Sequence, residues 1–376
     1  MRRALLVLAF LLASPSTAAA ATGITLNVSP AHPVYGSTAT FSGAVTPAGA
    51  GQHVDLWAET GGGQSLVTST TTAADGTYSI PLVMNAGATF RVKTPGAMSP
   101  DVVVNLRPQL TASITGLRYV GSDVKLRGRL VPAASGTLTL HVGKRTPTVR
   151  MGARGRFRAV LPTGHAGLFT ATLDFAPGPG FTARKVTRHY RIRAPYLSLG
   201  SRGDAVLALE RLLAARHYAL RGTNRYYAFD TYEAVLAFQK VHRLNRTGRV
   251  TSWLWPKIAA SGVPHARVDV GSHIEVDKTR QVLFEVRDGR VKRVVHVSTG
   301  ATGNTPVGRW HVYSKTPGLN SHGMYYSNYF LRGFAIHGYA TVPPYPASHG
   351  CVRTPMWFAP GFYARWGLGT TVYVFP

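Results

Sequence analysis

The chain has 376 residues, 42 Lys and Arg against 15 Asp and Glu, a formal net charge of +27 and a single cysteine. Its length exceeds one ordinary domain, one thiol cannot close an internal disulfide, and basic residues spread along the whole chain without a recognition motif argue against a nucleic-acid partner. Such a field fits retention on acidic polymers, with solubility alone as the plain alternative.

Arg2 and Arg3, the apolar run from Ala4 to Ala13 and the small residues Ala18-Ala19-Ala20 predict a secretory signal peptide over residues 1–21. The run is too short for a bilayer span, which needs roughly twenty apolar residues, and no later stretch is long or apolar enough. From Thr22 to Leu106, short β-branched or alternating runs such as Thr38-Ala39-Thr40-Phe41, Val54-Asp55-Leu56-Trp57 and Phe90-Arg91-Val92-Lys93 are punctuated by Gly, Pro and Asp75-Gly76. This predicts a small antiparallel β-sandwich over 22–106. The pattern recurs: Val34-Tyr35-Gly36-Ser37 is echoed by Tyr119-Val120-Gly121-Ser122, and Asp75-Gly76-Thr77-Tyr78 by Arg154-Gly155-Arg156-Phe157. A second sandwich over 107–194 follows, the pair reading as immunoglobulin-like spacers. His53, His141 and His165 are isolated and carry no chemistry.

Pro195 opens a helical texture over 195–264. Asp204 is placed to cap a helix with Val206, Leu209, Leu212 and Leu213 on one face, and Asp230 with Glu233 looks like a capping box for a second helix carrying Ala234, Val235, Phe238 and Val241 inward. Gly203-Asp204-Ala205-Val206, Leu209, Leu213, Thr231, Ala234-Val235, Phe238-Gln239, Gly248, Trp255 and Ile258 resemble the peptidoglycan-binding type 1 domain. The resemblance implies a small three-helix module with wall glycan as ligand, for which Asn224, Tyr226 and Arg246 are candidate loop contacts; the apolar positions are equally explained as core.

Residues 265–376 turn strand-rich again. His273 to Asp277 and Gln281 to Val286 predict a hairpin, with Val291 to Val297 as the next strand. Cys351 stands in Ser348-His349-Gly350-Cys351-Val352-Arg353, downstream of His337-Gly338. A lone thiol is a nucleophile, a buried small hydrophobe or an intermolecular partner. Neighbouring histidines favour the nucleophile, since an imidazole lowers the thiol pKa or takes its proton, and His337 and His349 both qualify. Gly350 permits close approach of a substrate backbone, and the N–H groups of Gly350 and Cys351 are natural donors to a developing oxyanion. Arg353 either pairs with a substrate carboxylate or fixes its loop, and Ser348 bonds within the turn or supports the substrate. Pro317 to Arg332, with Tyr326, reads as a substrate-covering loop, and the stiff run Thr341 to Pro346 sets the separation of His337 from Cys351. His296, His311 and His322 invite a metal reading, but no short-range ligand pair supports one.

Together with Ser298-Thr299-Gly300, Thr305-Pro306-Val307-Gly308 and Gly369 to Phe375, these motifs resemble the L,D-transpeptidase catalytic domain of the YkuD type, from about residue 272 to the C-terminus. The resemblance implies that Cys351 attacks the carbonyl joining the third residue of a peptidoglycan stem to its terminal D-alanine. A thioester forms, and an amine of another stem resolves it. It assigns the base to His337, held through the main chain at Gly338, a supporting place to His349 and Gly350, and substrate contacts to Arg353, Ser348 and Tyr326. No cofactor is implied. Expected partners are stem peptides and glycan, acidic wall polymers, and carbapenems as covalent inhibitors, with the protein secreted into the cell envelope or wall. Two alternatives stay open: an L,D-carboxypeptidase, if water resolves the thioester, and a non-catalytic wall-binding protein.

Overall fold

The structure is a computed structural model describing residues 22–133 and 135–376; the expected signal peptide over 1–21 lies outside the described residues. The described chain is mostly β, in several sheets, with four α-helices, none long and apolar enough to cross a membrane.

At the N-terminal end, Thr38–Thr46 pairs with Gly23–Ile24, Asn27–Ser29 and Thr77–Val83, while His53–Thr60 lies between Gly63–Thr71 and Ala88–Thr94. Alternation turns Phe41, Val54, Leu56, Ile80 and Val92 inward to one core, with the Phe41 and Phe90 rings 4.6 Å apart. The next stretch repeats the plan. Lys125–Val131 sits between Gln109–Thr115 and Arg156–Val160, and Gly167–Pro177 between Gly136–Val142 and Arg184–Ile192.

Helices α1 (Asp204–Ala214), α2 (Phe229–Val241) and α3 (Leu254–Ala260) follow. The expected caps are corrected here: Gly203 and Ala228 occupy the two N-cap positions, and neither end has a side-chain cap. Asp204 falls in the first turn and pairs with Arg225 at 3.2 Å, Asp230 accepts the Arg221 N–H at 2.9 Å, and Glu233 accepts the Trp357 indole N–H at 2.6 Å. Tertiary partners have drawn all three carboxylates away from the helix ends.

The C-terminal region holds two sheets. One runs, in order, Arg290–His296, Val282–Arg287, His273–Asp277, Thr371–Phe375, Gly308–His311; the other Ser314–Leu319, Tyr325–Leu331, Phe334–Tyr339, Val352–Pro355. The span expected as a covering loop is therefore a hairpin, Ser314–Leu319 with Tyr325–Leu331. Its aromatic residues favour strand, and Asn320 Oδ1 closes the turn by accepting the N–H groups of His322 and Met324. Helix α4 (Ala359–Arg365) backs this second sheet. Buried Glu285 anchors α4 by accepting from both Nε and Nη2 of Arg365, at 3.1 and 2.7 Å. One apolar core runs without a break from Leu110 through α1 to α3 into Val282, Phe284 and Val294, so the helices are built into the first C-terminal sheet.

Candidate active site

Strands Phe334–Tyr339 and Val352–Pro355 pair in parallel with His337 opposite Arg353 and Ile336 opposite Val352. Alternation then puts Ala335, His337 and Tyr339 on one face, with Cys351 and Arg353 on that same side of the neighbouring strand. The thiol and the imidazole thus share a face at one end of the sheet. Cys351 is half-buried, its Sγ 3.6 Å from the Gly333 carbonyl.

His337 is 3% exposed, and its Nδ1 lies 2.9 Å from the Gly338 carbonyl. That contact requires Nδ1–H to donate, which leaves Nε2 as the free acceptor. Burial pushes the imidazole down to about 4, with the Arg353 charge adding to the effect against the Gly338 hydrogen bond. Burial pushes the Cys351 thiol up, against a main-chain hydrogen bond at Ala335 and the Arg353 charge. The pair is therefore neutral thiol and neutral imidazole near pH 7. Of the two routes to a thiolate, a neutral pair is compatible with proton removal during attack and does not support a standing ion pair.

Gly338 has a packing reason besides its carbonyl: a Cβ there would lie 2.7 Å from the Ala359 Cβ on α4. Gly350 has φ +133°, and a Cβ would stand 2.4 Å from the Phe334 ring, so only glycine fits this turn. The Gly350 N–H donates to Ser348 Oγ at 3.0 Å. Of the two N–H groups expected as oxyanion donors, that of Gly350 is thus already engaged by Ser348. Ser348 is 5% exposed and its hydroxyl donates to the Cys351 carbonyl at 2.6 Å; it shapes the turn. His349 is exposed and contributes its carbonyl, 2.9 Å from Asn304 Nδ2. Arg353 lies with its guanidinium 4.0 Å from the Tyr339 ring centroid and exchanges main-chain hydrogen bonds with Ser298. Tyr326 packs edge-on between Tyr325 and Tyr363.

Residues to which sequence reasoning gave no individual role hold this turn. Thr305 Oγ1 donates to the Gly350 carbonyl at 2.7 Å and accepts the Gly300 N–H at 2.9 Å. Thr354 Oγ1 donates to the His337 carbonyl at 3.1 Å. The run Thr341 to Pro346 is fixed less by its prolines than by donors from elsewhere: His296 Nε2 lies 2.7 Å from the Val342 carbonyl, Arg246 Nη1 donates to the Pro344 carbonyl at 2.8 Å, and Ser298 Oγ donates to that of Tyr345 at 2.7 Å.

Behind His296 stands Lys240 of α2, 1% exposed. Its Nζ reaches the carbonyls of Gln281 and Val297 at 3.0 and 2.8 Å and His296 Nδ1 at 2.6 Å, so all three of its donors have acceptors. Burial holds both Lys240 and His296 well below their ordinary pKa values, and the Lys240 charge lowers His296 further. Among the described residues no group of three or more His, Cys, Asp or Glu side chains is placed to hold a metal ion; His296 has this other use, and His311 and His322 are exposed. Of the loop groups considered as glycan contacts, Asn224 accepts the Tyr226 N–H at 2.9 Å, Tyr226 lies under Arg202, and Arg246 holds the Pro344 carbonyl.

Two family models match the chain: the L,D-transpeptidase catalytic domain over residues 271–374 and a peptidoglycan-binding domain over 202–257. Among solved structures, the chain is similar to an L,D-transpeptidase from Xylanimonas cellulosilytica at 33% identity, over 48% of this chain and 98% of that one, with a TM-score of 0.45. It is also similar to an L,D-transpeptidase from Stackebrandtia nassauensis at 24% identity, over 48% and 95% of the two chains, TM-score 0.30. A third similar structure is an L,D-transpeptidase in complex with imipenem, 12% identical over 71% and 99%, TM-score 0.25. No curated protein matches the chain.

Proposed function

The chain belongs to the L,D-transpeptidase family, and from that premise we propose that it crosslinks peptidoglycan stems through a thioester on Cys351. The observation that supports the residue assignment is the tautomer of His337: Nδ1–H is tied to the Gly338 carbonyl, which leaves Nε2 as the acceptor on a residue that shares a sheet face with Cys351. The thiol proton passes to His337 Nε2 as Sγ attacks the carbonyl between the third stem residue and D-alanine. The oxyanion takes the Cys351 N–H. On collapse the C–N bond breaks, the His337 proton goes to the departing amine, and D-alanine leaves. An amine of a second stem, losing its proton to His337, then attacks the thioester and restores the thiol.

The remaining parts follow the same reading. Arg353, beside Tyr339, pairs with the carboxylate of a stem in this reading, its main chain fixing the turn through Ser298. The peptidoglycan-binding segment brings the wall to the site while Arg246 and Lys240 hold the Thr341 to Pro346 run. The two N-terminal β regions act as immunoglobulin-like sandwich spacers, and the chain works outside the membrane, where a carbapenem acylates Cys351. The test is product analysis. Purified protein with a disaccharide-tetrapeptide is expected to yield crosslinked dimer and free D-alanine; tripeptide without dimer would make it a carboxypeptidase, and unchanged tetrapeptide would leave a wall-binding protein.

A further inference from the structure

The sheet built from Gln109–Thr115, Lys125–Val131, Arg156–Val160 and Arg150–Met151 turns Leu126, Leu130, Phe157 and Ala159 to the core. Its opposite face carries Arg127, Arg129, Arg150, Arg156 and Arg158, all exposed. Register sets Arg127 opposite Arg158, Arg129 opposite Arg156, and Arg150 opposite Arg158. Like charges directly opposed across strands destabilise a sheet, so folding alone does not select this lattice.

Among the described residues none of the five has an ion pair, and their one side-chain hydrogen bond runs from Arg129 Nε to the Arg154 carbonyl at 3.2 Å. Elsewhere the protein neutralises arginine readily. Glu285 holds Arg293 and Arg365, and Asp277 holds Arg267 and Arg280. The arginines line an open concavity of about 600 Å³ over the main chain of the sheet. Rows across the sheet are roughly 4.8 Å apart and alternate residues along a strand roughly 6.6 Å.

We propose that this face docks a linear polyol-phosphate polymer, a phosphodiester chain that carries no bases. The positive lattice lacks anions of its own, and its opposed arginines repeat across three strands, as the charges of a polyanion repeat along its chain. A phosphodiester stays ionised at every working pH, whereas a carboxylate can take up a proton, and the guanidinium fork matches the two free oxygens of the phosphodiester. The site is separate from the Cys351 chemistry and does not depend on it.

The test uses the full chain and poly(glycerol phosphate) as probe, with binding measured across a salt series. The variant R127Q/R129Q/R156Q/R158Q is compared with wild type and with the charge-matched control R107Q/R118Q/R191Q/R193Q. The face variant is expected to bind at least tenfold more weakly, with its log-affinity against log-salt slope shallower by about 3, at roughly 0.7 to 0.9 per lost contact. Its melting temperature without polymer should not fall, because opposed charges have been removed, and its turnover of soluble stem peptide should be unchanged. Equal loss in both variants, or none in the face variant, would overturn the site. Tighter wild-type binding of polygalacturonate or of a single-stranded oligonucleotide would overturn the occupant.

Discussion

The helical segment meets its two neighbours in opposite ways. Toward the preceding sheets its contacts are apolar: Tyr119 stacks on Trp255 with ring centroids 6.1 Å apart, and Gly121, at φ +77°, lies so close that a Cβ would meet Ala259 at 2.6 Å and Leu212 at 3.0 Å. Toward the candidate active site they are polar and buried: Lys240 on His296, Arg246 on the Pro344 carbonyl, Glu233 on the Trp357 indole. Apolar burial is non-directional and holds surfaces together. Buried hydrogen bonds add little net stability but fix geometry, because each lost partner leaves a costly unpaired group. The first face attaches the segment, and the second sets where the turn before Cys351 stands.

The largest effect is expected at the point the polar face serves. His337→Ala should lower kcat/KM by roughly 10²- to 10⁴-fold, while His349→Ala, whose carbonyl remains, should cost far less; the opposite ranking would move the base. Because burial holds His337 near 4, the wild-type acid limb of kcat/KM should lie near pH 4, and a limb near 6.5 would contradict the buried neutral imidazole.

Lys240→Met breaks the polar face. It leaves His296 Nδ1 and the Gln281 and Val297 carbonyls without their donor, which should destabilise by about 3 kcal/mol and also lower kcat through the released Val342 contact. Tyr119→Ala breaks the apolar face. It should cost about 2 kcal/mol with kcat unchanged, and a comparable fall in kcat for both variants would erase the distinction between the faces.

Glu233→Gln gives the smallest change. Burial pushes the Glu233 carboxyl up to about 7 from an ordinary 4.5, against the hydrogen bond from Trp357. Folding therefore takes up a proton between those values: this contribution to stability is greatest below pH 4.5 and is lost as pH rises through 7. Glu233→Gln should flatten that part of the stability profile, measured by denaturation at pH 5 and pH 8, and an unchanged profile would assign the dependence elsewhere.

The turn around Cys351 was legible because its determinants are local: Gly350 at positive φ, Ser348 bonding within three residues, and His337 bonding to the next carbonyl. The strands were legible for the same reason, since alternation is a nearest-neighbour signal. What holds the turn was not. Lys240 and His296 lie 56 positions apart, and Asn304 and Thr305 each reach 45 positions to the main chain they fix; no local pattern records such pairings. Asp204, Asp230 and Glu233 carry a true helix-start signal that tertiary partners override. The arginine lattice was hidden because Arg127 and Arg158 become neighbours only through strand register.

The central claim is a thioester on Cys351 formed with His337 as base. Intact-protein mass spectrometry after brief incubation with a disaccharide-tetrapeptide tests it most directly. Wild type should gain the mass of the substrate less D-alanine, His337→Ala should gain it only slowly, and Cys351→Ala should not gain it at all. The same adduct on Cys351→Ala, or none on wild type while crosslinked product accumulates, would contradict the account.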